Sequence, residues 1–348
     1  MKQPIRIPMP ARYGINTALL VALVVGCVLA VSTGALNTYY SGVLVVVGIN
    51  IILAVSLNVA TGYLGQLPLG HAGFMAVGAY TGGIFLKAMN VTAAAEARNY
   101  LLIVVALVLS GVVAGIFGII IGVPALRLKG DYLAIITLGF GEIIRIIIIN
   151  IDSVLGFKFT YGASGLKRIP AFATLPLVLI CTIATCGIIH MVMKSRHGRA
   201  ILAIRENEIA AESCGVSTTY YKTMAFVMSA FFAGVAGCLY AGNLGSLYPN
   251  TFGFMKSIEI LVMVVLGGMG SMMGSVLSAA VLTILPQILY AVNDYRMVAY
   301  SLLLVLMMIF RPKGLMGTYD FSLSRVLEKG LNLVTGRGGK KKEGGAKQ

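Results

Sequence analysis

The stretch that decides the fold class lies at residues 101–123, which read LLIVVALVLSGVVAGIFGIIIGV. It contains no charged residue, and as an α-helix it is long enough to cross a bilayer core of about 30 Å. Similar runs recur along most of the chain. The sequence is 58% hydrophobic and 11% charged, whereas soluble domains are about a quarter charged. These features predict an all-α, polytopic transmembrane helical bundle.

About ten apolar segments are predicted to span the membrane, with eight or nine as alternatives. Their predicted ranges are 15–33, 39–60, 69–88, 100–123, 132–151, 172–193, 223–243, 257–272, 274–292 and 297–310. Pro68 stands at the start of the third segment and indicates a broken or re-entrant helix. Residues 267–271 form either a tight turn between two spans or an unwound stretch within one. Segment 15–33 superficially resembles a signal peptide, but its length and the later spans favour a retained first span.

The distribution of basic residues predicts the orientation in the membrane. The chain has 27 Lys and Arg residues against 12 Asp and Glu. With both termini inside, most of these basic residues fall in inner segments, which predicts cytoplasmic N- and C-termini. The chain then divides into a cytoplasmic segment (1–14), a first helix group (15–193), a cytoplasmic loop (194–222), a second helix group (223–317) and a basic, partly disordered tail (318–348). Lysines of this tail can rest on anionic lipid.

Composition and motif content exclude several classes of function. No basic stripe interleaved with aromatic residues indicates nucleic-acid binding. Cysteines and histidines are scattered without ligand spacing, so no metal, redox or other cofactor site is predicted. The phosphate-binding motif Gly-x-x-x-x-Gly-Lys-Ser/Thr is absent, so any ATP hydrolysis must occur in another chain. An integral-membrane enzyme would need a nucleophile with a base, a metal triad or clustered acids, and the sequence has none.

Small residues four apart predict faces where helices pack closely, because they let two backbones approach. Such pairs are Gly78 with Gly82, Gly111 with Gly115, Gly118 with Gly122 and Gly270 with Gly274.

The most informative hydrophilic stretch is the predicted cytoplasmic loop at residues 194–222. Good helix formers predict a helix from Ala200 to Cys214, with Gly215 as its C-terminal stop. Its predicted apolar strip consists of Ile201, Ile204, Ile209 and Ala211. A helix of this kind rests on the membrane or docks into a partner, and the small side chains of Ala210 and Ala211 favour a partner.

The run Ile209-Ala210-Ala211-x-x-x-Gly215 resembles the Glu-Ala-Ala-x-x-x-Gly loop of binding-protein-dependent ABC importer permeases. Isoleucine stands where that motif has glutamate, Glu208 lies one residue early, and no Leu-Pro follows. In those permeases the loop is the coupling helix that the ATPase holds. The resemblance implies an ATPase-coupling role for Ile204, Arg205, Glu208, Ile209, Ala210, Ala211, Glu212 and Gly215.

Five runs in the same order resemble the M component of the branched-chain amino acid permease family. They lie at residues 62–80, 127–142, 195–215, 264–271 and 310–315. The resemblance implies a multi-pass subunit of the bacterial inner membrane that imports leucine-, isoleucine- or valine-type amino acids. It also implies a second permease subunit, two cytoplasmic ABC ATPase subunits and a periplasmic substrate-binding protein. Permeases for urea or short amides are closely similar and remain an alternative.

Polar residues inside apolar segments are candidates for the translocation pathway, because they are costly in lipid. These candidates are Asn58, Gln66, His71, Glu142 and Glu259. A structural alternative exists for the ionisable ones. Glu142 with Arg145 and Glu259 with Lys256 stand three residues apart and can form ion pairs, and His71 can bond to a neighbour at a polar helix start.

An ion-gradient-driven secondary transporter is the remaining alternative function. Such a transporter typically has two related halves with broken helices and acidic residues near the bilayer midplane. No convincing internal repeat is visible in the sequence, which favours the ATP-driven importer.

Overall fold

Long apolar segments become helices because lipid offers no partner to the backbone, so each segment must satisfy its own N–H and C=O groups. A computed structural model describes residues 37–89, 91, 97–128, 130–156 and 159–288, together with Ser301, Val305 and Ile309. The chain divides into two units, and these residues all belong to the one that spans Asn37–Tyr319. Segments 1–14 and 318–348, the span at 15–33 and most of the span at 297–310 lie outside the described residues.

The described residues are mostly helical. In chain order the helices are α1 (Thr38–Asn58), α2 (His71–Ala88), α3 (Ala97–Ala125), α4 (Asp131–Leu155), α5 (Leu175–Lys194), α6 (Arg196–Glu206), α7 (Glu208–Ser213), α8 (Thr218–Leu244), α9 (Phe254–Gly267) and α10 (Met272–Ile288). A π-helical turn at Val59–Tyr63 extends α1, and 3-10 turns lie at Gly162–Ser164 and Pro249–Phe252. Strands β1 (Leu166–Lys167) and β2 (Ser246–Leu247) pair antiparallel, with Leu166 opposite Leu247.

Five helices in the described part of the chain are long and apolar enough to cross a membrane. They lie at Tyr39–Tyr63, Arg98–Ala125, Tyr132–Val154, Leu175–Lys194 and Thr218–Leu244. The fold class of a polytopic helical membrane protein is therefore confirmed. The total of ten spans stays a prediction. Helix α9 has 14 residues, which makes it about 21 Å long, shorter than a bilayer core of about 30 Å.

Helices α2, α3 and α8 pack closely where the glycine spacing predicted it. A Cβ atom at Gly78 of α2 would lie 2.2 Å from the carbonyl oxygen of Gly234 in α8. On α3, a Cβ at Gly118 would lie 2.8 Å from the Cβ of Ala230 in the same helix α8. Helix α2 is buried over most of its length because α3, α4, α8 and α9 all pack against it.

The third predicted span is a continuous helix, α2, and the break that Pro68 indicated lies in the non-helical stretch ahead of it. Residues 64–70 are not helical, and α2 begins only at His71. Backbone donors at this start are satisfied by side chains from other helices. The Leu69 N–H donates to Thr137 Oγ1 at 3.0 Å, and the Ala72 N–H donates to Ser257 Oγ at 3.1 Å. Irregular backbone inside a membrane bundle requires such internal partners.

Connections that were predicted to share one side of the membrane do contact each other. On the predicted outer side, β1 pairs with β2, and Arg145 donates to Asn250 Oδ1 at 3.0 Å. On the predicted inner side, Arg205 contacts the end of α1 at Gly62. This grouping is the same whichever side faces the cytoplasm, so the cytoplasmic orientation of the termini stays a prediction.

Candidate coupling site and its contacts with the membrane helices

Residues 194–222, which we call the coupling segment after their predicted role, contain two short helices, α6 and α7, between the end of α5 and the first turn of α8. The prediction of one helix from Ala200 to Cys214 is wrong, since the chain leaves the helical conformation at Asn207 (φ −157°, ψ 110°). The Asn207 side chain accepts a hydrogen bond from the Ala210 N–H at 3.1 Å and so caps α7. Asparagine favours such a cap over a helix interior because its short amide competes for local backbone groups.

Both ends of the helix pair are closed by local bonds. At the start, the Ser195 hydroxyl accepts from the His197 N–H at 3.2 Å, which is an ordinary N-cap. At the end, the Val216 N–H donates to the Ala211 carbonyl and the Gly215 N–H donates to the Glu212 carbonyl. Gly215 has φ +81°. These features define a Schellman motif, and Gly215 ends the helix as predicted.

The break at Asn207 decides which residues of α7 face outward. Ile209, 75% exposed, and Ala210 point away from the membrane helices, as Glu212 does. Ala211 is only 5% exposed and packs inward. The prediction that Ile209 shares an apolar strip with the buried Ile204 is therefore wrong, because the strip assumed one continuous helix. We call Ile209, Ala210 and Glu212 the outer face of α7.

Glu208 holds α7 against the membrane helix α8. Its Oε1 lies 2.7 Å from Lys222 Nζ, and the Lys222 side chain is only 5% exposed. Lys222 thus gains a counter-charge for an ammonium that would otherwise be costly to bury.

Arg205 points from α6 toward the end of α1. Its Nη1 donates to the Gly62 carbonyl at 2.6 Å, within the π-helical turn. The aliphatic stem of the arginine covers Gly65, where a Cβ atom would lie 3.1 Å from Arg205 Cγ. Arg205 therefore makes contacts inside this chain, on the side of α6 that faces the membrane helices.

The turn between α9 and α10 lies against the same end of α1. Its backbone requires glycine at two positions, Gly268 (φ +103°) and Gly270 (φ +89°), and the tight-turn alternative is the one observed. The prediction that Gly270 and Gly274 share a helix face is wrong, since Gly270 lies in the turn ahead of α10.

Asn58 holds this turn with both ends of its amide. Its Oδ1 accepts from the Gly270 N–H at 2.9 Å, and its Nδ2 donates to the Ser271 carbonyl at 3.2 Å. Gly62 touches the turn as well, because a Cβ there would lie 2.2 Å from the Gly270 nitrogen. We call Asn58, Gly62, Gly270 and Ser271 the helix-break junction.

The pathway candidates of the sequence are placed in different surroundings. His71 Nε2 lies 3.0 Å from Ser56 Oγ, and both are buried. Arg145 Nε lies 2.7 Å from Glu142 Oε2, so the predicted ion pair is present. Glu142 also lines a small cleft at the start of α2, with Gly73 and Ser257. Gln66 is half-buried near the π-helical turn.

The predicted ion pair of Glu259 is present too. Lys256 Nζ is 2.9 Å from Glu259 Oε2, and the Glu259 side chain is 42% exposed. Whether any of the five candidates contacts substrate stays a prediction. Asn58 has a structural function in the helix-break junction whatever its part in transport.

Two residues that hold the site together were not singled out from the sequence. Lys222 is separated from Glu208 by 14 positions, which no helical spacing brings together. Ser271 was visible only as part of a glycine-rich run. A usable signal was Asn58, since a buried amide in an apolar helix must find both a donor and an acceptor.

Residues 39–310 match the family described as branched-chain amino acid transport system, permease component. This match covers more than half of the chain. The chain belongs to the branched-chain amino acid permease family.

Three relatives agree with the predicted M component within this permease family. The high-affinity branched-chain amino acid transport system permease protein LivM of Salmonella typhimurium is 37% identical over 299 residues, covering 77% of this chain and 68% of the relative. LivM of Escherichia coli gives the same identity and coverage. The probable LivM of Methanocaldococcus jannaschii is 24% identical over 317 residues, covering 77% of this chain and 90% of the relative. The coupling segment and helix-break junction of this permease lie within the family match.

Proposed function

We propose that this permease is the translocation subunit of an ATP-driven, binding-protein-dependent importer for branched-chain amino acids. One observation carries the proposal. The outer face of α7 is exposed at the end of a helix pair that is bonded to the membrane helices through Arg205 and Glu208. Such a surface suits a partner that pushes on the bundle from outside it.

The proposed complex contains this chain, a second permease subunit, two cytoplasmic ABC ATPase subunits and a periplasmic binding protein in a bacterial inner membrane. The binding protein delivers the amino acid at the outer side. Closure of the ATPase dimer on ATP then displaces α7, and the membrane helices switch from outward-facing to inward-facing. ATP hydrolysis resets them. This chain supplies the pathway and the coupling surface, while its partners supply hydrolysis and most of the substrate selection.

Support for branched-chain substrates comes from the names of the relatives, which specify branched-chain amino acid transport. Urea or short amides are the alternative substrates, and uptake competition separates them. In cells that lack other importers for leucine and urea, we expect excess isoleucine or valine to block leucine uptake, and urea to leave it unchanged.

The test of the proposed function is purification of the chain from native membranes in mild detergent, followed by identification of its partners. We expect two ATPase subunits and a second permease to co-purify, and leucine uptake in proteoliposomes to require ATP and the binding protein. A chain that purifies alone and accumulates substrate under an ion gradient without ATP would establish a secondary transporter instead.

Cys214 provides a test of the cytoplasmic orientation of the coupling segment. It is exposed at the end of α7, whereas Cys181 and Cys186 are half-buried and Cys238 is buried. We expect a membrane-impermeant maleimide to label Cys214 in inverted vesicles and to leave it unlabelled in intact spheroplasts. Cys214→Ser is the control, since it should remove the signal from inverted vesicles. Labelling of Cys214 in spheroplasts would reverse the proposed orientation.

A further inference from the structure

Helix α6 carries an exposed arginine, Arg205, whose guanidinium contacts the end of α1. Arg205 directs its guanidinium to the Gly62 carbonyl, with a donor–acceptor distance of 2.6 Å. This carbonyl lies in the π-helical turn Val59–Tyr63 at the end of a helix. The last carbonyl groups of a helix have no intrahelical N–H donor. A charged donor on such a carbonyl makes a bond stronger than an ordinary neutral one.

The guanidinium also lies beside the turn between α9 and α10. A Cβ atom at Gly270 would lie 2.9 Å from Arg205 Nη1. Gly270 is held from the other side by Asn58, through a bond of 2.9 Å from its N–H. Arg205 therefore sits where α1, the α9–α10 turn and the coupling segment meet.

The chain connects Arg205 to the outer face of α7 over a very short path. Arg205 is in the last turn of α6, and Asn207 alone separates α6 from α7. A displacement of α7 therefore reaches Arg205 through only Asn207, which is extended, and Glu206. The second link, from Glu208 to Lys222, leads to α8, a different helix.

The Arg205–Gly62 hydrogen bond and the Glu208–Lys222 ion pair differ in how readily they can open. Lys222 is nearly enclosed, so separating it from Glu208 would leave a buried charge without a partner. Arg205 is an exposed residue that donates to a neutral carbonyl, so water can take the place of that carbonyl when the bond opens. The Arg205 contact is thus the one suited to open and close during a cycle, while Glu208 and Lys222 hold α7 on α8.

We propose that Arg205 is a positioning residue of the transport cycle, which passes the movement of α7 to the helix-break junction through its bond to the Gly62 carbonyl. This inference rests on the proposed function, because it assumes that a partner displaces α7. It assigns the Arg205 guanidinium to a contact within this chain, in place of the direct ATPase contact that the motif resemblance implied.

The test uses the complete complex in proteoliposomes and measures substrate transported per ATP hydrolysed. We expect Arg205→Ala to lower this ratio about tenfold, the effect of losing one bond to a charged group, with ATPase subunits still co-purifying in full. Arg205→Lys should recover part of the ratio, because an ammonium can still donate to one carbonyl. Arg199→Ala, which removes an exposed arginine of the same helix, should match the wild type.

Two results would overturn the inference. One is a wild-type transport ratio in Arg205→Ala. The other is loss of the ATPase subunits from the Arg205→Ala complex, which would place Arg205 in the contact with the ATPase. Failure of the wild-type chain to bind any ATPase would contradict the proposed function itself, and the inference with it.

Discussion

Replacement of Ala210 by aspartate is expected to stop substrate uptake while leaving the chain in the membrane at its normal level. Ala210 is exposed on the outer face of α7, so the new carboxylate meets water in the isolated chain. In a docked helix the same carboxylate would be desolvated without a partner, at a cost of several kcal/mol. We expect uptake to fall at least about a hundredfold, since each 1.4 kcal/mol is a factor of ten. Uptake and ATPase co-purification measure the effect.

Two further aspartate variants make this result specific to the outer face. Ala211→Asp places the charge at a side chain that is 5% exposed and faces inward, so the amount of folded chain should fall. Ala203→Asp introduces the same group at an exposed position of α6 and should keep most of the uptake. Normal uptake and normal ATPase binding by Ala210→Asp would contradict the coupling function of α7.

Apolar runs predicted most of the membrane helices, because in lipid hydrophobicity and backbone satisfaction act on each segment separately. The run at residues 101–123 lies within α3, which extends it by a few residues at either end. Segments 39–60 and 172–193 likewise correspond to α1 and α5.

The coupling segment was predictable at its ends and not at its centre. Gly215 ended the helix as expected, since its positive φ is a local requirement. Asn207 was overlooked within a run of good helix formers, although asparagine prefers a cap. Without that break, the rotation of α7 could not be deduced, and Ile209 was assigned to the wrong face.

Local sequence indicated a break at the helix-break junction, but not the conformation of that break. The glycines at 267, 268 and 270 indicated a break, but its conformation depends on Asn58, which lies 212 positions away from Gly270. A glycine-rich turn inside a membrane exposes backbone groups that some distant side chain must satisfy. The prediction that Gly270 and Gly274 share a helix face was wrong for the same reason, because it assumed that the helix continued through the turn.

Replacement of Glu208 by glutamine is expected to destabilise the folded chain by about 3 kcal/mol, the low end for a broken buried ion pair. Glutamine keeps the size and hydrogen-bonding capacity of the side chain, so the variant removes mainly the charge. Lys222, whose side chain is 5% exposed, then keeps a buried ammonium without its carboxylate. The measurement is the Tm of the purified chain in detergent, which should fall by several degrees.

The double variant Glu208→Gln with Lys222→Met separates the effect of the unpaired charge on stability from the effect of lost packing. Methionine fills much of the volume of the lysine stem and carries no charge, and apolar replacement of a buried pair is often neutral. We therefore expect the double variant to recover most of the lost Tm. Glu212→Gln, an exposed glutamate on the same helix, is the matched control and should leave Tm unchanged. If Glu208→Gln unfolds at the wild-type temperature, the pair does not hold α7 on α8, and the link to α8 must lie in the apolar contacts around Ala211.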